Sequence, residues 1–78
     1  MDYKKWREEV EYIMKTGTLE QVELCENWLM GIGLQKVDNL KVSSYLLDLA
    51  LQNIKGEIEY SELERRLTEY YGRKEHEQ

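Results

Sequence analysis

From Asn39 to Lys55 the chain carries Leu40, Val42, Tyr45, Leu46, Leu47, Leu49, Ala50, Leu51 and Ile54, and its one continuous polar strip is Lys41, Ser44, Asp48, Gln52 and Lys55. On a helical wheel these apolar positions cover an arc of about 240°. A helix with so narrow a wet strip needs neighbours on two sides, so this segment is expected to be the centre of a small all-α bundle. The remaining helical patterns then have to serve as its neighbours.

The first pattern starts after Asp2, a residue type that caps helix N-termini, and stops before Gly17, expected as the left-handed residue that closes a helix. Tyr3, Trp6, Val10, Ile13 and Met14 fall within about 100° of one another, which describes a helix with one buried face. Lys4, Lys5 and Arg7, each four residues before a Glu, mark its solvated side. Thr18 with Gln21 is a capping box, so a second helix is expected from Leu19 to about Met30, stopped at Gly31 or Gly33. Leu34 to Asp38 is then the connection, with Asp38 capping the third helix. Gly56 ends that third helix, with Ile58 tucking back, and Glu59 or Ser61 opens a fourth. Tyr60, Leu63, Leu67, Tyr70 and Tyr71 give this last helix an apolar face of only about 100°, and Gly72 closes it.

The expected architecture is a single-domain bundle of four helices over 1–72, the third central and the first and last as covers. A polar tail over 73–78, expected to fray, follows it. The 78 residues leave room for one core, and proline, which would break these helices, is absent. The apolar arc of the second helix is again about 240° wide, more than a helix lying on one small core requires. Leu19, Trp28 and Met30 are on it, and Glu26 sits inside it between Val22 and the pair Leu19 and Met30. These four residues, Leu19, Glu26, Trp28 and Met30, are the candidate contacts to a protein partner or to a second copy of the chain.

Chemistry is sparse. Cys25 has neither a His nor a second Cys near it in sequence and falls on the apolar arc, which reads as a buried structural thiol. The only His, His76, lies in the tail without partners for metal binding or catalysis. No carboxylates fall in calcium-loop spacing, and no set of nucleophile, base and oxyanion donors can be named. The expectation is therefore a non-enzyme with no cofactor and no metal. The lone cysteine and the absence of an apolar leader suggest a reducing, cytoplasmic setting. No apolar run approaches the roughly 20 residues that span a bilayer.

Eleven basic against sixteen acidic residues give a net charge of −5, which repels nucleic-acid phosphate. A helix-turn-helix built from the last two helices is the alternative reading, a DNA-associated regulator. Ser61, Glu62, Glu64, Arg65, Arg66, Thr68 and Glu69 on its second helix lack the basic excess for that task. A self-associating helical module is the further alternative. The favoured expectation is a small acidic regulator or inhibitor that acts by stoichiometric protein binding.

The stretch Ile54-Lys55-Gly56-Glu57-Ile58-Glu59-Tyr60-Ser61-Glu62-Leu63, with the closing Leu67-Thr68-Glu69-Tyr70-Tyr71-Gly72, resembles the C-terminal half of VbhA-type antitoxins, helical inhibitors of Fic adenylyltransferase toxins. The resemblance covers about a third of the chain and carries no periodicity beyond a common helical one. That family's inhibitory helix has Ser or Thr, three residues, then Glu followed by Gly or Asn. Val22-Glu23-Leu24-Cys25-Glu26-Asn27 supplies the Glu-Asn pair, with Val22 in place of the hydroxyl residue. The resemblance implies that Glu26 would engage an arginine of a toxin's nucleotide site, a charge-assisted contact that is strong once desolvated.

Overall fold

The computed structural model describes residues 1–37 and 42–76, with backbone alone for 35–37, 71 and 73–76. Four helices follow one another: α1 (Tyr3–Thr16), α2 (Leu19–Val37), α3 (Ser44–Ile54) and α4 (Tyr60–His76). No strand occurs among the described residues. The fold is an all-α bundle in which α3 packs against all three of the other helices, α1 and α2 pack on each other, and α4 leans on α3. The two-sided arc of α3 thus has the consequence expected of it.

Local chemistry sets most of the helix ends. The Asp2 carboxylate accepts the Lys5 backbone N–H at 2.8 Å and starts α1. Thr18 and Gln21 close the capping box reciprocally: the Gln21 amide oxygen accepts the Thr18 N–H at 2.9 Å, and the Thr18 hydroxyl accepts the Gln21 N–H at 3.2 Å. Gly17, between α1 and α2, is extended, φ −86° and ψ −179°, not left-handed as expected. Glycine is needed there for space, because a Cβ would stand 2.6 Å from the Gln21 amide oxygen and 2.7 Å from the Ile13 carbonyl oxygen. The left-handed cap is at Gly56, with φ +81°. Its N–H donates to the Asn53 carbonyl and the Glu57 N–H to the Gln52 carbonyl, the paired bonds of a Schellman motif.

Three boundaries differ from expectation. Helix α2 does not stop at Gly31 or Gly33 but runs to Val37, because Ile32 between them is 1% exposed and its burial holds the backbone helical through both glycines. The segment from Leu34 to Val37 is therefore helix, and the expected Asp38 cap lies outside the described residues. Helix α3 begins at Ser44, where the Ser43 hydroxyl accepts the Leu46 N–H at 3.1 Å and so fixes the start. Helix α4 opens with the Glu59 carbonyl accepting the Leu63 N–H, which settles the start on Glu59 and not Ser61. It passes Gly72 and continues to His76, so the expected tail is helical over 73–76; residues 77–78 lie outside the described ones.

The main core gathers Trp6 and Val10 of α1, Cys25 and Ile32 of α2, and Leu47, Ala50, Leu51 and Ile54 of α3. Tyr3, Ile13, Met14, Trp28 and Leu29 pack around it. Leu46, Leu49 and Leu63 are buried outside this cluster, on the side of α3 that meets α4, where the Tyr45 and Tyr70 rings also stack at 4.4 Å. Among the described residues no helix is long and apolar enough to cross a membrane.

The glycines separate by what surrounds them. A Cβ at Gly31 or Gly33 would meet nothing within 4 Å. Mid-helix glycine costs roughly 0.5–1 kcal/mol against alanine, so Gly31→Ala and Gly33→Ala should each raise stability by about that much. Gly56→Ala should lower it by about 1–2 kcal/mol, since alanine disfavours the left-handed region. Urea midpoints of the three variants check the opposite signs.

Candidate protein-binding surfaces

The sequence places Leu19, Glu26, Trp28 and Met30 together on α2, but the structure divides them. Leu19 and Met30 are 78% and 68% exposed, and Glu26 is exposed between them. Leu34, brought onto the helix by its longer course, joins them at 61% exposure. With Glu23, these residues form one stripe along α2, opposite the buried Cys25 and Ile32. The stripe is three large apolar side chains interleaved with two carboxylates.

Trp28 lies elsewhere. Its indole N–H donates to the Asn53 Oδ1 at 3.0 Å, and the Asn53 Nδ2 donates to the Ile58 carbonyl at 3.1 Å. The amide joins α2, α3 and the turn into α4, and at 7% exposure it is the buried polar side chain of the described residues. Trp28 also meets Tyr60 of α4, ring centres 6.3 Å apart and tilted by 46°. Trp28 is thus a half-buried structural contact, not a free member of the α2 stripe. Asn53 was not singled out from sequence, although the signal was present: it is the lone amide between Leu46 and Leu49 on the α3 wheel.

Among the described residues, α2 and α4 do not approach each other closely beyond the Trp28–Tyr60 contact, and an open cleft separates them over α3. One part, of about 650 Å³, is lined by Trp28, Leu46, Tyr60, Leu63, Leu67 and their neighbours Glu64 and Thr68. A second part, of about 260 Å³, lies between Leu24, Asn27, Gly31 and Tyr60. No family of known proteins, no curated protein and no solved structure matches this chain. Its surfaces therefore carry the functional argument.

The two basic side chains described on α4, Arg65 and Arg66, are paired. Arg65 donates to Glu62 at 2.6 and 3.0 Å and to Glu69 at 2.9 Å, and Arg66 donates to Glu62 at 3.1 Å. Hydrogen bonds from Arg65, then from Arg66, hold the Glu62 carboxyl down at about 2. In the unfolded chain a glutamate titrates at about 4.3, so the stabilisation is present above that pH and is lost as pH falls through 2. Urea midpoints of wild type and Glu62→Gln should therefore differ at neutral pH and converge near pH 2, a small effect because the network is exposed.

Cys25 is fully buried, its thiol 3.7 Å from the Val10 carbonyl oxygen. Burial first, and the Glu26 charge second, push its pKa above the ordinary thiol value, the reverse of what a nucleophile requires. Among the described residues no three His, Cys, Asp or Glu side chains are grouped to hold a metal ion.

Proposed function

We propose that this chain is a small non-catalytic regulator that acts by stoichiometric binding to another protein, with the outer stripe of α2 as its contact face. The observation that carries this reading is the alignment of Leu19, Met30 and Leu34, all more than 60% exposed, on one side of one helix. Single exposed apolar residues are ordinary on protein surfaces, whereas a row of them at helical spacing is the pattern of an amphipathic helix that docks on a partner. Glu26 on the same stripe could receive an arginine of that partner, which is the form an antitoxin-like inhibitor would take. The pairing of Arg65 and Arg66 with Glu62 and Glu69 favours protein over DNA, since phosphate would have to compete with these carboxylates.

The test uses a photo-crosslinker placed at Glu23, on the stripe, in the native cell. Met30→Lys with Leu34→Lys should reduce the captured partner at least about tenfold while changing stability by under about 0.5 kcal/mol, as exposed substitutions do. Unchanged capture would sink the reading. The antitoxin form is tested separately by assaying a Fic adenylyltransferase with added chain: inhibition that Glu26→Gly abolishes supports it, and inhibition indifferent to Glu26→Gly removes it.

A further inference from the structure

We propose that the cleft between α2 and α4 is a second docking site, shaped and charged to take a cationic amphipathic helix of a partner protein. It stands independently of the α2 stripe, because the two surfaces use different faces of that helix.

The walls are apolar and aromatic. Trp28 and Tyr60 close one end, Leu46 of α3 forms the floor, and Leu63 and Leu67 line the α4 side. Tyr60 remains 58% exposed at the mouth. On the α2 side the wall thins to backbone at Gly31, which is exposed and beside which a Cβ would meet nothing within 4 Å. No neighbour within the described chain requires glycine there. An approaching helix would, because bare backbone allows closer contact than any side chain.

The charges choose the occupant. Glu64 is the charged group in the larger part, and a neighbouring cavity of about 480 Å³ that shares Tyr60 with it is lined by Glu20, Glu59 and Lys55. Among the described residues, three carboxylates against one ammonium border the two cavities, in a chain of net charge −5. A second copy would bring like charge to like charge, which opposes self-docking; a basic helix is drawn in and steered. The aromatic rims of Trp28 and Tyr60 also accept cations on their faces. The described residues offer no strand edge for an extended peptide, so helix-in-groove docking, with apolar anchors one turn apart, is the mode that fits.

The experiment titrates the full chain, labelled with nitrogen-15, with a Leu/Lys amphipathic helical peptide of about five turns. A Leu/Glu counterpart and a scrambled Leu/Lys peptide serve as comparisons. The Leu/Lys helix should bind with micromolar affinity and move the indole N–H signal of Trp28 but not that of Trp6. Gly31→Leu, which puts a side chain into the cleft where a Cβ meets nothing within 4 Å, and Glu64→Lys should each weaken binding about tenfold or more, and added salt should weaken it further. Gly31→Leu should melt no lower than wild type, so its loss of binding is not loss of fold. Met30→Lys with Leu34→Lys should bind the peptide as wild type does, which lets either surface fail without the other. A Trp28 signal that stays still, equal binding of the Leu/Glu or scrambled peptide, or unchanged binding by Gly31→Leu overturns the proposal. So does sedimentation showing a dimer that Gly31→Leu abolishes, since a second copy would then own the cleft.

Discussion

Trp6→Ala is expected to remove a large share of the chain's stability. Trp6 is fully buried in the main core, beneath α1 and against residues of α2 and α3. Truncating a buried Trp costs about 3–5 kcal/mol, from lost transfer free energy and from the cavity left behind. Domains are stable by about 0.05–0.15 kcal/mol per residue, which for a chain of this length is roughly 4–12 kcal/mol, so the loss is a large share of the whole. Trp6→Phe should behave differently. The Trp6 indole N–H is buried and has no acceptor among the described residues, an arrangement that itself costs about 1–3 kcal/mol. Phenylalanine removes that unsatisfied donor while keeping most of the apolar area, so its net effect should stay within about 2 kcal/mol. Far-UV circular dichroism across a urea titration separates the two; a Trp6→Phe variant as damaged as Trp6→Ala would show that the indole N–H is satisfied after all.

Asn53→Ala should have the second-largest effect, about 2–4 kcal/mol, out of proportion to the few atoms removed. Its amide is an acceptor for Trp28 and a donor to the Ile58 carbonyl at the same time, and deleting it leaves both partners unpaired in a site of low exposure. The consequence extends past stability. Trp28 would lose the bond that holds its ring against Tyr60, and the end of the α2–α4 cleft would lose its shape. Trp28→Phe, which removes one donor and leaves the Asn53 bond to Ile58 in place, should cost less. Thermal melts of the pair, read with the indole N–H resonance of Trp28 in Asn53→Ala, check both statements. Equal costs for the two variants would mean that ring packing, not the amide, holds this corner.

The features legible in the sequence are those set by residues within one turn of each other. Asp2 capping α1, Thr18 with Gln21 opening α2, and Gly56 with its left-handed backbone all follow from short-range hydrogen bonds. The apolar faces of α1 and α4 and the two-sided α3 follow from periodicity. What escaped depends on distant parts of the chain. Gly31 and Gly33 read as stops by propensity, and only the burial of Ile32 keeps α2 helical through them. Trp28 read as a free aromatic, because a wheel shows that a residue points inward from one helix, not which amide on another meets it. The cleft had no sequence signal, since it exists through the distance between α2 and α4. Leu19, Glu26 and Met30 belong to one wide arc on the wheel, and the arc itself does not tell outward Met30 from inward Leu29.

The way α4 is attached has a consequence for motion. Helices α1, α2 and α3 each contact the other two, whereas α4 is held by α3, the Tyr45–Tyr70 stack and the Trp28–Tyr60 pair. Two cooperative units of unequal free energy are the natural outcome. Amide hydrogens of α4 should exchange through a low-cost opening that leaves those of Trp6, Cys25 and Ala50 protected, and the Schellman turn at Gly56 is where the detached arm would swing. A chain of 78 residues would then carry a rigid body and a hinged latch, and any partner entering from the α4 side would meet the part that yields first.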